Sequence, residues 1–119
     1  MAAKAAIVLL AAAESPEGLG RVVNALTTAK EFAESGDEVS IVFDGAGTKW
    51  IPALEAEEHK YHGLYASVRD RITGACDYCA GAYGVKAEVE AAGVTLLDEY
   101  AQHPSIRRFV AGGYAVITF

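Results

Sequence analysis

Two segments of strand character, separated by one long stretch of helical period, constrain this chain more than anything else in it. The first is Ala5 to Ala11 (AAIVLLA); the second is Glu38 to Asp44 (EVSIVFD), rich in β-branched residues. The first is apolar without alternation, and such a strand is covered on both faces, which is the condition of a central parallel strand. Between the two, Leu19, Val22, Val23, Leu26, Ala29 and Phe32/Ala33 recur at the spacing of one helix face. Ser15 followed by Pro16 supplies an N-cap and a first helical residue, and Gly36 a C-cap. Strand, helix, strand is a βαβ unit, and its crossover is expected to be right-handed.

The alternation continues. Gly45-Ala46-Gly47 is a loop, Trp50 to Ala56 a short helical turn, and His59 to Arg71 a second long helix with Tyr61, Leu64, Tyr65, Val68 and Ile72 on one face. Thr73 to Asp77 (TGACD) stands where a third strand belongs, although its propensity is poor. A helix near Val85 to Ala92 ends at Gly93, and Val94 to Leu97 is a short strand. Ser105 caps a helix carrying Ile106, Phe109 and Val110, Gly112-Gly113 closes it, and Tyr114 to Phe119 (YAVITF) is a last strand. This pattern predicts an α/β fold, a three-layer α/β/α sandwich around a mostly parallel sheet of about five strands.

At 119 residues the chain fits one domain, 1–119, large enough to bury a core without disulfides or a structural metal. A hydrophobic fraction of 52% leaves apolar surface for a subunit interface. The formal charge of −6 argues against direct nucleic-acid binding, which needs a basic footprint to displace counterions. The apolar stretch Ala2 to Ala13 is interrupted by Lys4 and is too short to span a membrane. Ala11-Ala12-Ala13 imitates a signal-peptide cleavage site, but helix-start chemistry follows at once, so the run reads as a strand. The expectation is a cytoplasmic protein whose two cysteines are reduced thiols.

In parallel sheets of this kind, reactive groups gather at the carboxyl ends of the strands. Asp44 and Cys76 fall at such ends, and Cys76 with Cys79 makes a C-x-x-C pair in the segment GACDYCAGAYGV. A thiol between a strand and a helix start is offered free backbone N–H groups that favour its anion, and a second thiol three residues on can resolve an adduct formed there. The same residues also suit a plainer role, since free cysteine is among the most buried residue types. Asp44, Gly45 and Tyr83 are candidates for the lining of the cleft. Asp44 is also a natural turn former, and facing Cys76 its charge would raise the thiol pKa.

These segments resemble the DsrE/DsrF-like sulfur-relay family. The shared motif is a cysteine at the end of the third strand, seven further residues, then Gly and Ile or Val; here it is Cys76, Asp77 to Tyr83, and Gly84-Val85. The opening strand, the run Ala29 to Gly47 and the closing GYAVITF match as well, so the likeness covers most of the chain. The resemblance implies that Cys76 accepts a sulfane sulfur as a persulfide and passes it on. It also implies protein sulfur donors and acceptors, and a homo-oligomer, a trimer or hexamer. Cys79 lies outside the motif, and Ala82-Tyr83 stand where many relatives carry basic residues.

Other readings compete for the same residues. Cys76 and Cys79 suit a thiol–disulfide or redox-sensing pair, or both thiols are structural in a non-catalytic assembly subunit. His59 and His62, one helical turn apart, complete with the cysteines a set that zinc accepts, but the gaps are not those of a standard finger. The histidines read as solvated, and His103, before Pro104, as part of a helix start. No cofactor and no metal ligand are assigned.

Overall fold

The computed structural model describes residues 2–119. Five strands, β1 (Lys4–Leu9), β2 (Glu38–Phe43), β3 (Ile72–Cys76), β4 (Leu96–Leu97) and β5 (Ala115–Thr118), form one sheet in the order β4-β3-β2-β1-β5. Every pairing is parallel, with Ile7 beside Ile41 and Ile117, and Cys76 beside Leu97. The expected α/β architecture is present, and its sheet is wholly parallel.

The order explains how the helices are distributed. The chain steps from β1 to β2 to β3 to β4 in one direction, and right-handed crossovers then put every connecting helix on the same face. Helix α1 (Pro16–Glu34), α2 (Trp50–Glu55), α3 (His62–Ser67), α4 (Asp77–Ala82) and α5 (Lys86–Ala91) arise in these connections. The main core lies beneath them: Ile7, Leu9, Ile41 and Phe43 from the sheet meet Val22 and Leu26 of α1, Leu54 of α2, Tyr65 of α3 and Val89 of α5. Only the return from β4 to β5 reverses direction, so α6 (Ile106–Ala111) covers the opposite face. There Phe109 packs with Ala6, Val42 and Leu97 in a smaller core.

Local chemistry accounts for the element ends. Ser15 accepts from the Gly18 N–H at 3.0 Å and Pro16 opens α1, as the sequence predicts. Asp44 caps a 3-10 turn, Gly45–Lys49, by accepting from the Gly45 N–H at 2.8 Å. Gly47 is there because a Cβ would stand 2.1 Å from the Leu9 carbonyl oxygen. Gly74 gives β3 its poor propensity and also its fit: a Cβ would lie 2.5 Å from the Thr95 carbonyl oxygen and 2.6 Å from Leu97 Cγ. Small residues in TGAC are what let β4 close on β3.

Three expectations about elements change. The helix expected over His59 to Arg71 is only His62–Ser67 followed by a 3-10 turn, Arg69–Arg71. Its apolar residues are buried as foreseen at Tyr65 and Val68, but His59 accepts from the Tyr61 N–H at 3.0 Å and keeps the preceding segment in turns. The strand expected from Val94 shrinks to Leu96–Leu97. Helix α4, which begins immediately after Cys76, is additional; its sequence DYCAGA has no apolar period to reveal it. No helix among the described residues is long and apolar enough to cross a membrane.

Candidate functional site

The carboxyl ends of β2 and β3 lie side by side, with Phe43 paired to Ala75, so Asp44 and Cys76 emerge next to each other on one rim. Cys76 is the last residue of β3 and the N-cap of α4; its sulfur accepts from the Cys79 N–H at 3.4 Å. That turn returns Cys79 to the same spot. Its thiol donates to Asp44 Oδ1 at 3.5 Å, and the same oxygen is held by the Gly45 N–H.

The fourth member arrives from the far side of β4. Tyr100 to His103 is a tight antiparallel turn closed by two bonds, Tyr100 N–H to the His103 carbonyl at 2.9 Å and His103 N–H to the Tyr100 carbonyl at 2.8 Å. Its central residues, Ala101 at φ 49° and Gln102 at φ 67°, are left-handed without being glycine. Such residues cost roughly 1 kcal/mol each and persist where surrounding structure holds them. Here the Gln102 carbonyl accepts from the Tyr78 N–H of α4 at 3.0 Å, the His103 ring lies 5.1 Å from the Tyr78 ring, and Pro104 behind it is buried. The result is His103 Nδ1 at 3.2 Å from Cys76 Sγ.

Asp44, Cys76, Cys79 and His103 thus present a carboxylate oxygen, two sulfurs and an imidazole nitrogen, all within 4.8 Å of one another. Cys76 is fully buried, whereas the other three are partly exposed. Burial pushes the Cys76 thiol up to about 12; the Cys79 N–H pulls the other way, but the Cys79 side chain and the Asp44 charge reinforce the rise. Burial thus favours the protonated Cys76 thiol, which has the Gln102 carbonyl oxygen at 3.9 Å as an acceptor and His103 Nδ1 beside it at 3.2 Å. This corrects the expectation that backbone N–H groups favour the Cys76 anion. Helix α4 has only six residues and its N–H contribution is outweighed by desolvation and by Asp44.

Sequence reasoning also misjudged the histidines. His103 belongs to the cluster. His59 stands edge-on to Trp50, 6.5 Å between centroids, and His62 Nδ1 lies 2.7 Å from the Leu54 carbonyl, so both brace the α2–α3 segment, away from the cysteines. The signal that would have found His103 is its place in the loop that follows the carboxyl end of β4. Gly45 fixes the Asp44 carboxylate. Tyr83 ends α4, half-exposed, with its N–H on the Cys79 carbonyl at 2.9 Å. Tyr78 and Tyr100 are exposed on the same elements.

No protein-family model matches the chain. Its fold is similar to that of a conserved protein of unknown function, BT1422 of Bacteroides thetaiotaomicron, with a TM-score of 0.64 over 96% of this chain and 94% of that one at 13% identity, a likeness of fold alone. The sequence is similar to an uncharacterised protein of Methanocaldococcus jannaschii, MJ0733, 30% identical over 96 residues that make up 81% of this chain and 78% of that protein. An α/β domain with this length of shared sequence belongs to the MJ0733 family.

Proposed function

We propose that this domain is a thiol-based sulfur carrier of the DsrE type, in which Cys79 meets the donor and Cys76 works behind it. The observation that carries the reading is the Cys76–Cys79 pair at the rim of the sheet, with an imidazole 3.2 Å from one sulfur and a carboxylate 3.5 Å from the other. The resemblance of the segment Cys76 to Val85 supports the sulfur chemistry. Burial divides the labour differently from the family expectation, because a wholly buried Cys76 sulfur is out of reach of a protein donor.

In this scheme the Cys79 thiol passes its proton to Asp44 and its sulfur attacks the outer sulfur of a donor persulfide. The donor's S–S bond breaks, a new one forms on Cys79, and the donor leaves as a thiol with the proton from Asp44. An acceptor thiol then takes the outer sulfur and restores the Cys79 thiol. Tyr78, whose ring lies 5.1 Å from His103, is exposed, as are Tyr83 at the end of α4 and Tyr100 in the turn before His103, and aromatic rings of this kind are the residues that protein partners bury.

The proximity of the two sulfurs also favours a second outcome. With His103 receiving its proton, Cys76 attacks the inner sulfur of the Cys79 persulfide, forming the Cys76–Cys79 disulfide and releasing hydrogen sulfide. A thiol–disulfide role uses the same step.

The test is incubation of reduced protein with a low-molecular-weight persulfide in the presence of a chelator, read by intact and peptide mass spectrometry. A cyanide-labile gain of one sulfur on Cys79, kept in Cys76→Ser and lost in Cys79→Ser, is expected. No adduct on Cys79 in folded Cys76→Ser together with neither adduct nor Cys76–Cys79 disulfide in wild type, or an adduct unaffected by Cys79→Ser, overturns the assignment.

A further inference from the structure

We infer that Asp44, Cys76, Cys79 and His103 form a binding site for a thiophilic divalent cation, zinc in the first place. The inference rests on the donor set and its geometry, and does not depend on the sulfur-carrier reading.

Two thiolates, an imidazole and a carboxylate are the ligand types zinc takes in four-coordinate sites. Bond lengths of about 2.3 Å to sulfur and about 2.0 to 2.1 Å to nitrogen or oxygen put tetrahedral ligand atoms roughly 3.5 Å apart. Cys76 Sγ to His103 Nδ1 is 3.2 Å and Cys79 Sγ to Asp44 Oδ1 is 3.5 Å, so both of these edges already have the required length. The remaining separations do not exceed 4.8 Å. Two sulfurs on zinc stand about 3.8 Å apart and the other pairs roughly 3.3 to 3.6 Å, so at most about 1.5 Å of closure is left to side-chain rotation.

The surroundings hold the donors in place. The Gly45 N–H fixes the Asp44 carboxylate and the Cys79 N–H points at the Cys76 sulfur, which are the supporting bonds a metal site needs around its ligands. The strained Ala101–Gln102 turn is tied to α4 through Tyr78 and directs the His103 Nδ1 inward. The ligands come from three separate connections, after β2, after β3 and after β4, so a bound cation ties together the whole carboxyl rim of that half of the sheet. Binding releases the two thiol protons to solvent, and while the metal is bound both sulfurs are masked.

The experiment uses reduced, chelator-stripped protein titrated anaerobically with cobalt(II) as the spectroscopic probe, followed by zinc. The expected result is intense tetrahedral d–d absorption with a thiolate-to-cobalt charge-transfer band. Both saturate at one cobalt per chain and are bleached by one equivalent of zinc. His103→Ala and Asp44→Ala each weaken cobalt binding by about tenfold or more, and Cys79→Ser removes most of the charge-transfer intensity. Circular dichroism confirms that each variant is folded. Absence of these bands in folded, fully reduced wild type overturns the site. So does equal affinity in His103→Ala and Asp44→Ala, which means that the thiols alone hold the metal. The persulfide experiment is run in chelator, so either proposal fails without the other.

Discussion

Alkylation of Cys76 offers the sharpest check on how the site is wired. The structure places its sulfur fully buried, 3.2 Å from His103 Nδ1, with the thiol pushed up to about 12 from an ordinary 9.0. At about pH 8 the thiolate fraction is then roughly one in ten thousand in the native protein against roughly one in ten in the unfolded chain. That ratio alone slows reaction with iodoacetamide by about 1,000-fold, and burial slows it further. Transient global unfolding does not bypass the block, because a stability of about 5 kcal/mol or more keeps the unfolded fraction near or below 10⁻⁴. The assay is peptide-resolved mass spectrometry of labelling over time, in buffer and in urea, with chelator and reductant present. Native labelling of Cys76 within about tenfold of its rate in urea refutes the reasoning. So does a labelling profile that reaches half its maximum near neutrality.

Stability should fall as the solution becomes alkaline. The raised Cys76 thiol keeps its proton in the native state up to about 12, while the unfolded chain gives it up near 9, so the native state binds more protons in that window. The contribution is full below about 9 and is lost as pH rises through the native value, at a slope of up to about 1.4 kcal/mol per pH unit. Tyr65, raised by burial and by its bond to Glu55, acts in the same direction. Urea unfolding at about pH 8 and 10 measures the loss, and Cys76→Ala should flatten it. Gly47→Ala drives a Cβ against the Leu9 carbonyl and should cost about 2 kcal/mol or more, seen as a lower urea midpoint; an unchanged midpoint contradicts the close approach. Ala101→Gly relieves the left-handed strain and should raise stability by up to about 1 kcal/mol, near 4 °C in melting temperature for a domain of this size. A lower melting temperature would show that the turn is not strained.

Much of the architecture was open to a reader of the amino-acid sequence because its causes are local. The unbroken apolar run Ala5 to Ala11 determines a strand covered on both faces, the β-branched residues of Glu38 to Asp44 determine the next, and Ser15-Pro16 determines where α1 begins. The place of Cys76 at the end of β3 and the Asp44 turn were likewise readable. Short elements without a period were not: α4, built of DYCAGA, has no pattern to count, and the expected His59 to Arg71 helix is held to one short segment by side-chain-to-backbone bonds.

The membership of His103 and the distances within the assembled site lay beyond the sequence. His103 stands 27 positions from Cys76, and Asp44 stands 35 from Cys79. Their meeting depends on the parallel register of β2, β3 and β4 and on a turn whose two central residues, Ala101 and Gln102, take a conformation that their types disfavour. Whether Cys76 faces water depended on what packs over it, and the Gln102–His103 turn docked on α4 buries it. Spacing along a chain sets the period of a helix or strand, because those repeats are made by neighbours. The distance between two donors, and the water left around them, is made by segments that only the folded sheet brings together.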